Sequence, residues 1–167
     1  MATSSLLINY LLGGALNGAI LALVAFLLSR YWRDIASRAL LAVVLVAAGG
    51  FYVGFAVTAG AGTGWVTLEI AQTGVLATFA VLGLRRSPYW LAVGWALHPF
   101  WDILLHLWGP GHSFAPEAYA VSCLTYDWAV ALYVLMAYTT TGTTRFRSRR
   151  PVTTPAHQGH LQRHPAQ

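Results

Sequence analysis

Hydrophobic residues gather in long runs at positions 6–29, 39–60, 65–84, 89–108 and 118–139, separated by short polar connections. Each run is close to the roughly 20 residues whose helical rise crosses a bilayer core. The pattern therefore predicts an all-α, polytopic membrane bundle of five transmembrane helices, a single domain over residues 1–142. Residues 143–167 are rich in Arg, His, Pro, Thr and Gln and hold little apolar material to offset the entropy of ordering. They are expected to form a disordered basic tail. The first run has no basic residue before it and no small-residue cleavage pattern after it, so it is expected to remain as the first helix.

Composition strengthens this reading. The 167 residues are 57% hydrophobic and 9% charged, against about 25% charged residues in ordinary soluble domains. The formal charge of +5 does not mark a nucleic-acid binder, because the basic residues lie beside hydrophobic runs and no nucleic-acid module is visible. All ten are arginines, placed after run one (Arg30, Arg33, Arg38), after run three (Arg85, Arg86) and after run five. Positive charge is retained on the cytoplasmic side, so the N-terminus is expected outside and the C-terminal tail inside. Tyr31, Trp32, Tyr89, Trp90 and Tyr138 then mark inner borders, and Trp65, Trp108 and Tyr119 outer ones. Small residues at Gly14 and Gly18, and at Gly50 and Gly54, suit close helix packing within the bundle or a dimer seam.

Three of the five acidic residues, Glu69, Asp102 and Asp127, fall inside predicted spans. A charge at the bilayer centre costs roughly 2.5–3.5 kcal/mol on insertion scales, so these carboxylates should be neutralised, paired or metal-bound. His98, Asp102 and His106 follow one another at steps of four and share one stripe of a helix. Pro99 removes a backbone donor beside His98 and suggests a local kink. Glu69, Gln72 and Thr73 share a face of the third helix, and Cys123 and Asp127 share one of the fifth. At 1.5 Å per residue, Glu69 lies about 6 Å below the outer boundary, Asp102 about 9 Å, His106 about 3 Å, and His98 and Asp127 about 15 Å. All five belong to the outer half, and they are expected to converge on one cavity with His106 at its mouth.

Each also has an ordinary role to set against this. His106 can face interfacial water, Asp102 can merely orient a histidine, and Asp127 can be a protonated interhelical hydrogen-bond donor. Cys123, the single cysteine, reads as a packing residue in apolar surroundings, and Asn9 and Asn17 as interhelical hydrogen-bond formers.

The stretch from Gly94 to His106, reading GWALHPFWDILLH, resembles the signature of DUF6010, a bacterial membrane family of unknown function. Glu69 in the preceding helix, and Pro116, Cys123 and Asp127 beyond it, extend the resemblance over about residues 64–135. One departure is Leu105 before His106, where the family commonly has two adjacent histidines. The resemblance implies that His98, Asp102, His106, Glu69 and Asp127 belong together in a multi-pass protein of a bacterial inner membrane, and it implies no chemistry.

Imidazole and carboxylate together suit a transition metal such as Zn or Fe. The leading expectation is a metal-dependent enzyme acting on a lipid or other apolar substrate. Its metal ligands are His98, Asp102 and His106, and its catalytic groups are Glu69, with a ligand role open to it as well, and Asp127 as general base or orienter. The alternatives are a proton, metal-ion or small-solute transporter and a non-catalytic assembly subunit. The bilayer is the expected partner, with a homodimer or a membrane-complex partner left open. No zincin motif, nucleophile elbow or phosphate loop is present in the sequence.

Overall fold

The computed structural model describes residues 4–147 and is all-helical. Helix α1 spans Ser4–Tyr31, α2 Asp34–Thr58, α3 Thr63–Arg85, α4 Tyr89–Trp101 and α5 Glu117–Arg147. Between α4 and α5 the chain winds as a π-helix over Asp102–Leu107 and a short 3-10 turn over Pro110–Ser113. Four helices, α1, α2, α3 and the Glu117–Thr139 part of α5, are long and apolar enough to cross a membrane. Leu12, Leu16, Leu23 and Val43 point outward from the bundle, an apolar exterior that suits lipid and not water. Helix α5 continues past residue 142, where the tail was expected to begin, to Arg147; the remainder of the expected tail lies outside the described residues.

Helix α5 is the centre of the packing, with α1 and α4 against it, while α2 lies against α1, α3 and α4. Small residues decide how closely the helices approach. A Cβ on Gly14 would strike the Ser122 carbonyl, and one on Gly18 would come within 2.6 Å of the Tyr126 carbonyl. The Gly14 and Gly18 pair is thus an intramolecular α1–α5 seam, reinforced by Thr125 donating to the Leu11 carbonyl at 2.6 Å. Gly50 and Gly54 face open space; the α2–α3 approach is made by Gly49, packed on Gln72 and Thr73. The expected pair sits one residue away from the helix face that packs.

Polarity divides the bundle along its length. Toward the start of α2 and α4 and the end of α5, Leu41, Leu45, Leu91, Trp95, Val130 and Val134 form a fully buried apolar core. At the rim beyond it, Tyr138 donates to Asp34 at 2.6 Å and Arg38 pairs with the same carboxylate, joining α2 to α5. On the other side of the core, toward the π-helix, the interior is lined by Glu69, His98, Asp102, His106 and Asp127, all buried.

Candidate metal centre

Three helical segments bring the polar side chains together. His98 belongs to α4, Asp102 opens the π-helix that continues it, and Asp127 lies midway along α5. Regular α-winding runs through Pro99 and gives way only at Asp102, and Trp108 then donates to the Ile103 carbonyl at 3.0 Å, five residues back. Such π-turns cluster at functional sites. Here the wider turn has a geometric consequence. In an α-helix His106 would stand over Asp102, whereas in the π-turn its ring is carried toward α3 and α2.

The first grouping is His98, Asp102 and Asp127. His98 Nδ1 donates to Asp127 Oδ2 at 2.7 Å, and His98 Nε2 faces Asp102 Oδ1 at 3.8 Å. Each of the three offers an atom within 4.8 Å of the others, and all three side chains are closed to solvent. The short contact pairs Nδ1 with Asp127 and leaves Nε2 directed at Asp102; when Nδ1 carries the proton of a neutral ring, the Nε2 lone pair is the one available to a metal. A carboxylate on one imidazole nitrogen and a free lone pair on the other is the arrangement that prepares histidine as a metal ligand.

The second grouping is His106 and Glu69. Nε2 of His106 faces Oε1 of Glu69 at 3.5 Å, with neither side chain exposed, and the Trp101 indole donates to Oε2 of Glu69 at 3.2 Å. His106 is held on several sides. The Tyr52 ring stacks on it with centroids 4.0 Å apart and planes 7° from parallel, and Phe114 meets it edge-on at 5.6 Å. Gly111 lies so close that a Cβ there would fall 2.5 Å from Nδ1. His106 is therefore buried, not turned to interfacial water.

Tyr52 joins the two groupings. Its ring covers His106, also lies 5.9 Å from His98, and its hydroxyl is directed at Asp102 while stopping short of a hydrogen bond. Cys123 is a buried free thiol near Asp127 and Asp102, beside Tyr119, whose hydroxyl donates to the Ala48 carbonyl at 3.1 Å. All five site residues expected from the sequence thus reach one buried layer, but as a triad and a pair bridged by an aromatic ring.

Hydrogen bonding inside the chain leaves this layer incomplete. His98 Nε2, both oxygens of Asp102, Asp127 Oδ1, Glu69 Oε1 and both ring nitrogens of His106 are buried without a partner in the chain. An unpaired buried polar group costs about 1–3 kcal/mol, and more when charged, a cost that water, protons or a cation would each relieve. The donor set fits a metal: neutral imidazole and carboxylate are the ligands of Zn and Fe sites. The separations fit as well. At bond lengths of about 2.0–2.1 Å, tetrahedral ligand atoms stand about 3.4 Å apart, close to the 3.5 and 3.8 Å gaps seen.

Tyr52, Trp101 and Gly111 escaped the sequence reading. Tyr52 had a usable signal, since it continues the inward face of Leu41, Leu45 and Ala48 at helical spacing and stands in mid-run, away from any border. Trp101 and Gly111 had none, because their roles arise only where the π-turn meets α3 and the following loop.

Fold and cluster together define a helical protein with membrane-length apolar helices and a buried His/Asp cluster. The chain belongs to DUF6010, a family of unknown function, whose model matches residues 13–140. That match is wider than the resemblance over 64–135 and takes in the Gly14 seam and Tyr52. No curated protein and no solved structure matches the chain.

Proposed function

We propose that this protein is a five-span membrane metalloenzyme, N-terminus outside, that binds a transition metal at His98 and Asp102 and acts on a lipid or other apolar substrate. The observation that carries this reading is the buried His98 Nε2 facing Asp102 with its opposite nitrogen bonded to Asp127 at 2.7 Å. The fifth span is α4 with its π-helical continuation, Tyr89 to Leu107, close to the roughly 20 residues needed. Orientation follows from the arginines at the end where Asp34, Arg38 and Tyr138 meet. A bound ion would supply Lewis acidity. The chain's own part is to keep the proton on Nδ1 by pairing it with Asp127, fix the imidazole plane and keep the site away from bulk water.

The apolar substrate is supported by a cleft of about 280 Å³ between α1, α2 and α5, lined mainly by apolar atoms of Val44, Ala47, Phe51, Tyr119 and Cys123 among others. Cys123 and Tyr119 stand between this cleft and the polar layer, so a hydrocarbon chain held there would end beside the metal site. The apolar core of Leu45, Leu91, Trp95 and Val130 argues against a continuous polar pathway through the bundle and so against transport.

Elemental analysis of detergent-purified protein tests the reading. A stoichiometric transition metal is expected in the wild type and its loss in a folded His98→Ala variant. Folded wild type that retains no ion after loading with Zn or Fe would overturn it. Mass spectrometry of lipids incubated with loaded protein then reads the activity, and a lipid extract identical for wild type and His98→Ala would contradict the enzymatic part.

A further inference from the structure

Asn17 interrupts the apolar lining of the cleft between α1, α2 and α5. It stands at the middle of α1, about 20 Å along the axis from either end of that helix, and lines the cleft together with Ser122 of α5. The bond expected from Asn17 to a neighbouring helix does not form. Its exposed amide has no hydrogen-bond partner among the described residues, and neither has the Ser122 hydroxyl.

The α1–α5 seam explains this placement. Gly14 and Gly18 pack on the carbonyls of Ser122 and Tyr126, and Asn17 shares that side of α1, three residues after Gly14. Helical side chains lean toward the N-terminus, which carries the amide back toward the level of Gly14 and so of Ser122. An amide left unpaired in hydrocarbon is costly. An amide open to a cleft at the helix centre therefore calls for a polar atom on whatever fills that cleft.

Charge and hydrogen-bonding capacity narrow the occupant. Among the described residues that line the cleft none is acidic or basic, so a phosphate or carboxylate placed there would lose its hydration without gaining a counter-charge. Asn17 offers two donors and an acceptor oxygen, and Ser122 a hydroxyl that donates and accepts. A hydroxyl group meets both kinds of partner, whereas a carbonyl would leave the Asn17 oxygen unpaired. We propose that Asn17 and Ser122 form a specificity site for the hydroxyl of an uncharged long-chain alcohol, with its hydrocarbon held in the cleft along Val44, Ala47 and Phe51. This inference rests on the reading of the cleft as the substrate's place, and not on a bound ion.

Photolabelling of the full-length protein in lipid nanodiscs tests it, with hexadecan-1-ol carrying a diazirine in its chain as the probe and peptide mass spectrometry to locate the label. Label is expected on the α1 and α5 peptides that border the cleft, displaced by unlabelled hexadecan-1-ol but not by equal amounts of hexadecane or hexadecyl phosphate. Asn17→Leu, checked for monodispersity, should weaken binding of the alcohol about 3–10-fold, the loss of one hydrogen bond; Ser122→Ala serves the same purpose where Asn17→Leu does not fold. Label confined to other segments, displacement by hexadecane or hexadecyl phosphate as effective as by the alcohol, or unchanged affinity in the folded variant would overturn the proposal. Repeating the labelling on chelator-treated protein separates the two readings, since cleft labelling without any retained metal would remove the metal centre and leave this site standing.

Discussion

Asp127 on α5 accepts a 2.7 Å hydrogen bond from His98 Nδ1 on α4, in a position closed to solvent. This contact ties the two helices and sets which imidazole nitrogen is free. In the proposed metal site Asp127 would act through His98 and not as a ligand itself. Replacing Asp127 with Asn keeps an acceptor but removes its charge, and metal affinity should fall by about 10–100-fold while the fold persists. Competition with a chelator measures this, and a complete loss equal to that of His98→Ala would instead make Asp127 a ligand.

Tyr52 separates packing from chemistry. Tyr52→Phe keeps the ring stacked on His106 and should unfold in detergent at nearly the wild-type temperature. Tyr52→Ala opens a cavity against His106 and Tyr119 and should lose about 3–5 kcal/mol, read by thermal unfolding. Equal stability of the two variants would show that the stack contributes nothing.

The α1–α5 seam gives a stability contrast between packed and unpacked glycines. Gly14→Ala presses a methyl group into the Ser122 carbonyl, a backbone atom that cannot swing away, and should cost about 1–3 kcal/mol or prevent assembly. Gly50→Ala and Gly54→Ala meet open space and should be neutral in a monomer. Chromatography and thermal unfolding compare the three, and loss of an oligomer in the Gly50 or Gly54 variants would mark a homodimer face there.

Orientation is tested by paired reporters. A fusion after Arg147 should be cytoplasmic and one at the N-terminus external, following the arginine distribution. An external reporter after Arg147 would invert the bundle and put the polar layer in its cytoplasmic half.

Hydrophobic runs made the helices legible because backbone groups in lipid must be satisfied within a segment, and the acids inside those runs marked His98, Asp102 and Asp127. Spacing alone misled at His106, since a step of four implies one stripe only in α-winding and the chain is π-helical over Asp102–Leu107. Gly50 and Gly54 carried the same motif as Gly14 and Gly18, but which glycine faces a neighbour depends on helix rotation. In α2 that rotation is set by the inward row of Leu41, Leu45 and Tyr52, which brings Gly49 to the contact. Tyr52 itself was readable from that row, whereas Trp101 and Gly111 depend on contacts across the fold.

The most direct test of the central claim is anomalous diffraction at the metal edge from crystals grown with zinc. An anomalous peak is expected between His98 Nε2 and Asp102 Oδ1, with Asp127 still bonded to Nδ1 and outside the first ring of ligands. A map with no peak there, and His98 Nε2 hydrogen-bonded directly to a protonated Asp102, would contradict the account.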